Sequence, residues 1–506
     1  MRTRAFLCAF LPPVICFLYN PAVSALPPAE DLATKARRGK EAMAAGRFDE
    51  AAALYAEITR ALPDEPGMLL NLGMALSMAG RPREAVPRLE AALRLRPDLL
   101  PASLFLGAAR LELGQPARAV EPLQKVVAAQ PENQEARRRL ADALWSLERY
   151  EPAIEQYRAL AEQAPEDPRA WYGLGQSYEA IARVALERLQ TSAPDSDYVL
   201  RRVAETMVAE GRLANAFTLY REALQKRPGL AEARDAIARI YEESGHADWA
   251  AVERERARSI PPLDCHAPSL ECDFRARRYA PVLNAARRLG TAEGLYWESR
   301  AAGELATDAF GRLEQLPLSP EGTLRRVEVL RSRKRTPARE AIDDLKKAAR
   351  AWPEDTRLRR ELATLLVIVG DAEGAQPILE EMLKREPESV EAALALGQTW
   401  LKLLQPAKAV PLLEGVVRRQ PKLLPAQAAL GRAYAEAGDM EKAIAPLEAA
   451  LETDEDGSLH YQLARAYRAT GRPEQATQAL AQFQEIRKAS EARAQSLQEE
   501  FRITPP

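Results

Sequence analysis

The sequence predicts an all-α solenoid of about 11 helix-turn-helix repeats of 34 residues, with two long-helix irregular elements. Three observations predict it. Pro63, Pro97, Pro131 and Pro165 lie 34 residues apart, and Gly46, Gly80 and Gly114 keep the same step. Ala51, Ala85, Ala119 and Ala153 are in phase with them. The composition is rich in Ala, Leu, Arg and Glu, all good helix formers, and aromatics are only 6%.

The chain has 506 residues, too many for one compact core unless it repeats or divides. Lys and Arg total 71 against 73 Asp and Glu. That balance gives no bulk attraction to nucleic acid or an anionic membrane. The first 25 residues read as a signal peptide: Arg2 and Arg4, an apolar run from Ala5 to Tyr19, then the small residues Val23-Ser24-Ala25. The competing reading is an uncleaved anchor, against which Pro12-Pro13 would break a spanning helix. Cys16 lacks the small neighbour of a lipoprotein site. Beyond this run no stretch is apolar enough to span a bilayer, so no stable membrane span is expected after cleavage. The expectation is export to a periplasm or cell envelope, an oxidising compartment.

Each unit reads as two short helices. In Pro66 to Leu99, Leu69, Leu72, Gly73 and Leu76 share one helical face. Gly80-Arg81 makes the turn, and Ala85, Leu89, Ala92 and Leu93 form the apolar face of the second helix. Pro97 stops it. Small residues at Gly73 and Ala85 let the two helices approach. One hairpin buries too little alone, so neighbours must stack.

This pattern resembles the tetratricopeptide repeat family. "AWYGLGQSY" carries Trp171, Leu174, Gly175 and Tyr178 at the family's first-helix positions, and "GRFDEAAALYAEITRALP" matches the second half. Clear units start near Leu32, Pro66, Leu100, Gln134, Asp197, Ala231, Thr356, Val390, Leu424 and Gly457, with a weaker one near Gly322. The resemblance implies a right-handed superhelix whose first helices line a groove that binds other proteins or peptide segments. The expected organisation is a signal peptide at 1–25, a repeat array at 26–264, an irregular insert at 265–321, a second array at 322–482, and a capping helix and tail at 483–506.

Two stretches depart from the pattern. Trp171, Leu174, Tyr178, Ile181, Ala185 and Leu189 keep helical spacing with no turn, predicting one long helix to about Ser192. The stretch Gly294 to Leu316 resembles it at an offset of 124: Tyr172 with Tyr296, Ala185 with Ala309, Arg201-Arg202 with Arg325-Arg326. The sequence leaves open a break near Ala182 or Thr307.

Cys265 and Cys272 stand in the interruption, where a regular helix is expected from about Phe274. A zinc site needs about four ligands, and Cys265, His266 and Cys272 supply three, two of them adjacent. The haem-attachment spacing is absent. A disulfide needs only the two thiols and an oxidising compartment, and closing this loop would contribute about 2.5 kcal/mol in the chain-entropy account. No base or helix start is evident that would make either thiol reactive.

Catalysis finds no constellation. There is no Gly-rich phosphate loop, no metal motif and no expected cofactor, and His246, His266 and His460 are scattered. Glu242-Glu243, Asp343-Asp344 and the basic run Arg331 to Arg335 read as solvated faces or turns. No segment outside the repeats is large enough for a catalytic domain. A noncatalytic interaction scaffold is expected; the alternative is a noncatalytic recruiting subunit of an envelope enzyme or secretion complex.

The candidate groove is apolar toward the N-terminus: Leu70, Met74, Met78, Leu104 and Leu111, extended by Trp145 and Tyr172. The competing reading packs these residues on a neighbouring segment. Toward the C-terminus it turns basic, with Arg357, Arg360, Lys402, Arg432, Arg465 and Arg468, either as a clamp for acidic peptide ends or as a solvated face paired with Glu391 and Glu436.

Overall fold

A computed structural model of the protein describes residues 31–267, 269–332, 338–500 and 502–506, and all regular structure among them is helical. The expected signal segment and residues 333–335 of the basic run lie outside the described residues. The chain divides into two compact units at Arg139/Leu140.

The first unit stacks helical hairpins: α1 (Leu32–Ala44) with α2 (Phe48–Ala61), α3 (Pro66–Met78) with α4 (Pro82–Leu95), and α5 (Leu100–Glu112) with α6 (Pro116–Ala129). Helix α7 (Gln134–Ser146) carries the boundary. Asp31 caps α1 by accepting from the Thr34 N–H at 2.6 Å, and Pro66, Pro82 and Pro116 begin their helices where a missing N–H costs nothing. A Cβ added at Gly73 would lie 2.5 Å from Leu89, and one at Gly107 2.5 Å from Leu123. Each hairpin therefore closes by setting a second-helix leucine against bare first-helix backbone.

The second unit continues with α8 (Tyr150–Gln163), α9 (Pro168–Ser192), α10 (Asp197–Ala209), α11 (Leu213–Lys226), α12 (Ala231–Glu243) and α13 (Ala247–Arg258). Next come α14 (Leu270–Arg275), α15 (Tyr279–Leu289), α16 (Ala292–Glu314), α17 (Pro320–Ser332) and α18 (Ala338–Ala351). Regular hairpins then return: α19 (Thr356–Val369) with α20 (Ala372–Arg385), α21 (Val390–Lys402) with α22 (Pro406–Arg419), and α23 (Leu424–Glu436) with α24 (Met440–Ala449). Helices α25 (Ser458–Ala469) and α26 (Pro473–Glu500) complete it.

The long helices α9 and α16 are unbroken at Ala182 and Thr307. They pack antiparallel: Gly175 meets Phe310, while further along α9 the Ala182 carbonyl accepts from Ser299 Oγ at 2.8 Å. Small residues at Ala182, Ala185, Ala302, Ala306 and Ala309 allow the approach. The helix following each long helix packs on the opposite one. From α10, Arg202 Nε donates to Ser299 Oγ of α16 at 2.9 Å, and Arg201 lies 4.3 Å from the Tyr296 ring centroid. From α17, Arg325 pairs with Glu179 of α9 at 2.8 Å. The internal similarity at an offset of 124 residues therefore corresponds to two long helices that exchange their neighbours.

Regular helix starts earlier than expected after the cysteines. Ser269 accepts from the Cys272 N–H at 3.1 Å and caps α14 at Leu270, so Cys272 lies in a helical first turn while Cys265 is on the loop.

Candidate functional site

In the first unit, first helices α3 and α5 lie beside one another. Leu70, Met74, Leu104 and Leu111 are half-buried there, Leu70 leaning on the core beneath, and Met78 is 47% exposed. Trp145 belongs to the second unit and is 40% exposed. Tyr172 is not an open groove residue. Its ring meets Phe310 of α16 edge-on at 6.3 Å, and burial, with the nearby Glu328 carboxylate, pushes its phenol up to about 12. Without a second helix in its own repeat, that face of α9 is covered by the other long helix.

The basic residues divide into committed and open groups. Arg357 bonds Glu321 Oε1 and Asp355 Oδ2, each at 2.6 Å, and Lys402 donates to the Val367 carbonyl at 2.8 Å. Burial pushes the Asp355 carboxyl up, but hydrogen bonds and charge from Arg357 outweigh it and leave it below its ordinary value. Arg360, Arg432, Arg465 and Arg468 are exposed.

Between α19 and α21 lies a cavity of ≈ 240 Å³ lined in part by Arg360, Val367, Ile368, Glu391, Leu394 and Gln398. These side chains recur at the same first-helix phase, Arg360 and Leu394 being one 34-residue step apart. Ile368 is 63% exposed. The face has an apolar floor with one arginine, Arg360, and one glutamate, Glu391, in its lining. From the sequence alone this face offers its cations and Glu391; the phase of Arg360 extended by one period also reaches Leu394.

A second cavity of ≈ 440 Å³ is polar, lined in part by Arg201, Glu205, Tyr220, Glu232, Arg239 and Arg300. Arg300 Nε lies 3.3 Å from Glu205 and its Nη1 3.1 Å from Glu232. Burial pushes the Glu205 carboxyl up against the pull of Arg300 and Arg202. Burial works against the Arg300 guanidinium, yet Glu205, Tyr296 and Glu232 hold it above its ordinary value. Sequence reasoning missed this cluster because Arg300 comes from α16, far from α10 and α12 along the chain.

Cys265 and Cys272 are within bonding distance, with Cα atoms 5.7 Å apart, a separation a disulfide spans. His246 stacks on Trp249 at 3.9 Å, His266 is exposed, and His460 meets Asp454, which also accepts the Leu459 and His460 N–H groups at the start of α25. Of the basic run, Arg331 pairs with Glu361. Among the described residues, no group of three or more His, Cys, Asp or Glu is arranged to hold a metal, and no helix is long and apolar enough to cross a membrane.

Tetratricopeptide repeat profiles match residues 110–176; residues 37–99, 78–134, 360–423 and 401–460; and residues 457–490. Together they cover 37–176 and 360–490. No curated protein sequence matches. Among solved structures, the MamA RS-1 ArsTM double mutant is 30% identical over 29% of this chain and 84% of its own, with a TM-score of 0.28. A crystal structure of MamA protein is 22% identical over 40% and 94%, with a TM-score of 0.29. MamA MSR-1 C2 is 20% identical over 45% and 95%, with a TM-score of 0.25.

Proposed function

The chain belongs to the tetratricopeptide repeat family, and on that premise we propose that it is an exported, noncatalytic scaffold holding segments of other proteins on its first-helix faces. Repeats of this family support a protein-interaction role. The observation that carries the finer reading is the cavity at Val367, Ile368 and Leu394, with Arg360 at its edge. An exposed isoleucine flanked by an arginine and a glutamate suits a segment that anchors itself with one apolar side chain and carries charge of either sign beside it. The apolar residues supply contact area, and the cations supply orientation and attraction that salt weakens. Leu70, Met74 and Met78 offer an apolar counterpart in the first unit.

Export is supported by the N-terminal pattern and by the pairing of Cys265 with Cys272, which an oxidising compartment would preserve. Intact mass of chain recovered from an envelope fraction, with and without reductant, tests this. Two fewer hydrogens before reduction and a missing leader support it; free thiols and a retained leader contradict it.

The binding proposal is tested with three full-length chains immobilised beside the wild type: Ile368→Asp/Leu394→Asp, Arg465→Glu/Arg468→Glu, and Leu70→Asp/Met74→Asp. Loss of a partner with the first variant, and weakening with the second and with salt, supports this face. Loss only with the third moves binding to the first unit. Retention by all three contradicts the groove reading. Co-purification of an enzyme would favour the recruiting-subunit alternative.

A further inference from the structure

The docking of residues 502–506 is not explained by capping. The first half of α26 pairs with α25 as the second helix of the last hairpin, where Ala476 and Ala479 are buried and Phe483 packs on Tyr461 at 5.4 Å. From Arg487 to Arg493 every side chain is exposed. The remaining 14 residues of α26, 487–500, carry the chain about 21 Å as a single helix. After it, Ile503 and Thr504 become half-buried again.

Their contacts are with α11 and α12, more than 250 residues earlier. Ile503 packs against the apolar cluster that includes Phe217, Tyr220, Ile237 and Tyr241. Tyr241 Oη donates to the Thr504 carbonyl at 2.7 Å, and Arg221 Nη1 donates to Thr504 Oγ1 at 2.6 Å. The receiving surface is stiff. Phe217 and Tyr241 pack at 5.4 Å, Trp249 meets Tyr241 edge-on at 5.5 Å, and Tyr241 is only 1% exposed. The segment is stiff as well: Thr504 precedes Pro505-Pro506, which biases it to extended backbone and lowers the ordering cost of docking.

We propose that the surface around Arg221 and Tyr241 is a peptide-docking site, and that the chain's own Ile503–Thr504 occupies it in cis as a displaceable latch. The site reads one branched apolar side chain, one main-chain carbonyl and one threonine hydroxyl. It takes an extended apolar-Thr-Pro segment, and an outside segment of that kind must displace the tethered one. The tether makes docking of the latch intramolecular, so a free peptide competes poorly until the latch is released. This surface is distinct from the first-helix cavity at Ile368.

The test uses the full chain and a fluorescent peptide of residues 499–506. Ile503→Asp should free the site, and the peptide should bind this variant at least ~10-fold more tightly than wild type. Adding Tyr241→Phe, which keeps the ring and removes only the hydroxyl, should weaken that binding, and Arg221→Ala should weaken it further. Circular dichroism with unchanged helix content confirms that each variant is folded. Equal peptide binding by wild type and Ile503→Asp overturns the proposal. So does binding indifferent to both Tyr241→Phe and Arg221→Ala. A concentration-dependent dimer lost in Ile503→Asp would assign the segment to a second copy and overturn the cis latch.

Discussion

The repeat-phase glycines do one job in the regular arrays and another in the middle of the second unit. Gly73, Gly107, Gly397 and Gly431 each face a leucine 16 residues later, on the second helix of the same hairpin. Gly175 stands at the same phase, but its neighbour is Phe310, with a Cβ placed 2.5 Å from that ring. The difference teaches that the small residue specifies a close approach and not a partner. Where the turn is missing, the bare backbone of α9 receives a helix more than 100 residues away. A local stack thereby becomes a long-range one.

The largest expected effect follows from that exchange. Phe310 is 3% exposed and seated on both Gly175 and Tyr172. Phe310→Ala should cost about 3–5 kcal/mol, read by chemical denaturation of the second unit, and should loosen α9 and α16 together. Leu89→Ala, at about 2–5 kcal/mol, should loosen only its own hairpin and the neighbours stacked on it. Equal disturbance of α16 by both substitutions would remove the distinction.

Next in size is the cysteine loop. Cys272→Ser, or reduction, should cost about 2.5 kcal/mol in the second unit and leave the first unchanged. A thermal transition indifferent to reductant would contradict a stabilising link between Cys265 and Cys272.

A smaller effect appears at alkaline pH. The folded chain holds the Tyr172 phenol up to about 12, against an ordinary value of 10.0. The neutral form is favoured in the fold, so its contribution is whole below pH 10 and is lost as pH rises through about 12. Spectrophotometric titration of wild type against Tyr172→Phe should isolate a tyrosine ionising near that upper value, and Phe310→Ala should bring it down.

The smallest effect is stabilising and belongs to the regular arrays. Gly370 and Gly438 hold φ of +84° and +89° at the hairpin turn, and Leu404 holds +55° at the same phase between them. Its side chain is 83% exposed. Leu404→Gly should raise stability by up to about 1 kcal/mol, because relief of the left-handed strain exceeds the conformational entropy that glycine adds to the unfolded chain. A lower melting temperature would contradict this.

Much of the framework was legible. The period places first helices at Leu32, Pro66, Leu100, Gln134, Thr356, Val390 and Leu424, and the chain folds with helices beginning at each. The long helix to Ser192 followed from apolar spacing without a turn. What was not legible depends on contacts distant in sequence. Tyr172 reads as a groove residue until α16 is laid over it. Arg357 reads as an open cation until Glu321 and Asp355 are placed beside it. The start at Leu270 turned on one capping serine. Ile503 and Thr504 carry no periodicity at all, so only the fold reveals what they touch.

The most direct test of the exchanged long helices is hydrogen exchange on a Gly175→Ala chain beside a Gly73→Ala chain. The account predicts that Gly175→Ala lowers protection across residues 292–314 as well as 168–192, while Gly73→Ala lowers it within residues 66–95 and adjoining hairpins and leaves 292–314 unchanged. If Gly175→Ala leaves residues 292–314 as protected as in the wild type, α9 and α16 do not hold one another, and the central claim fails.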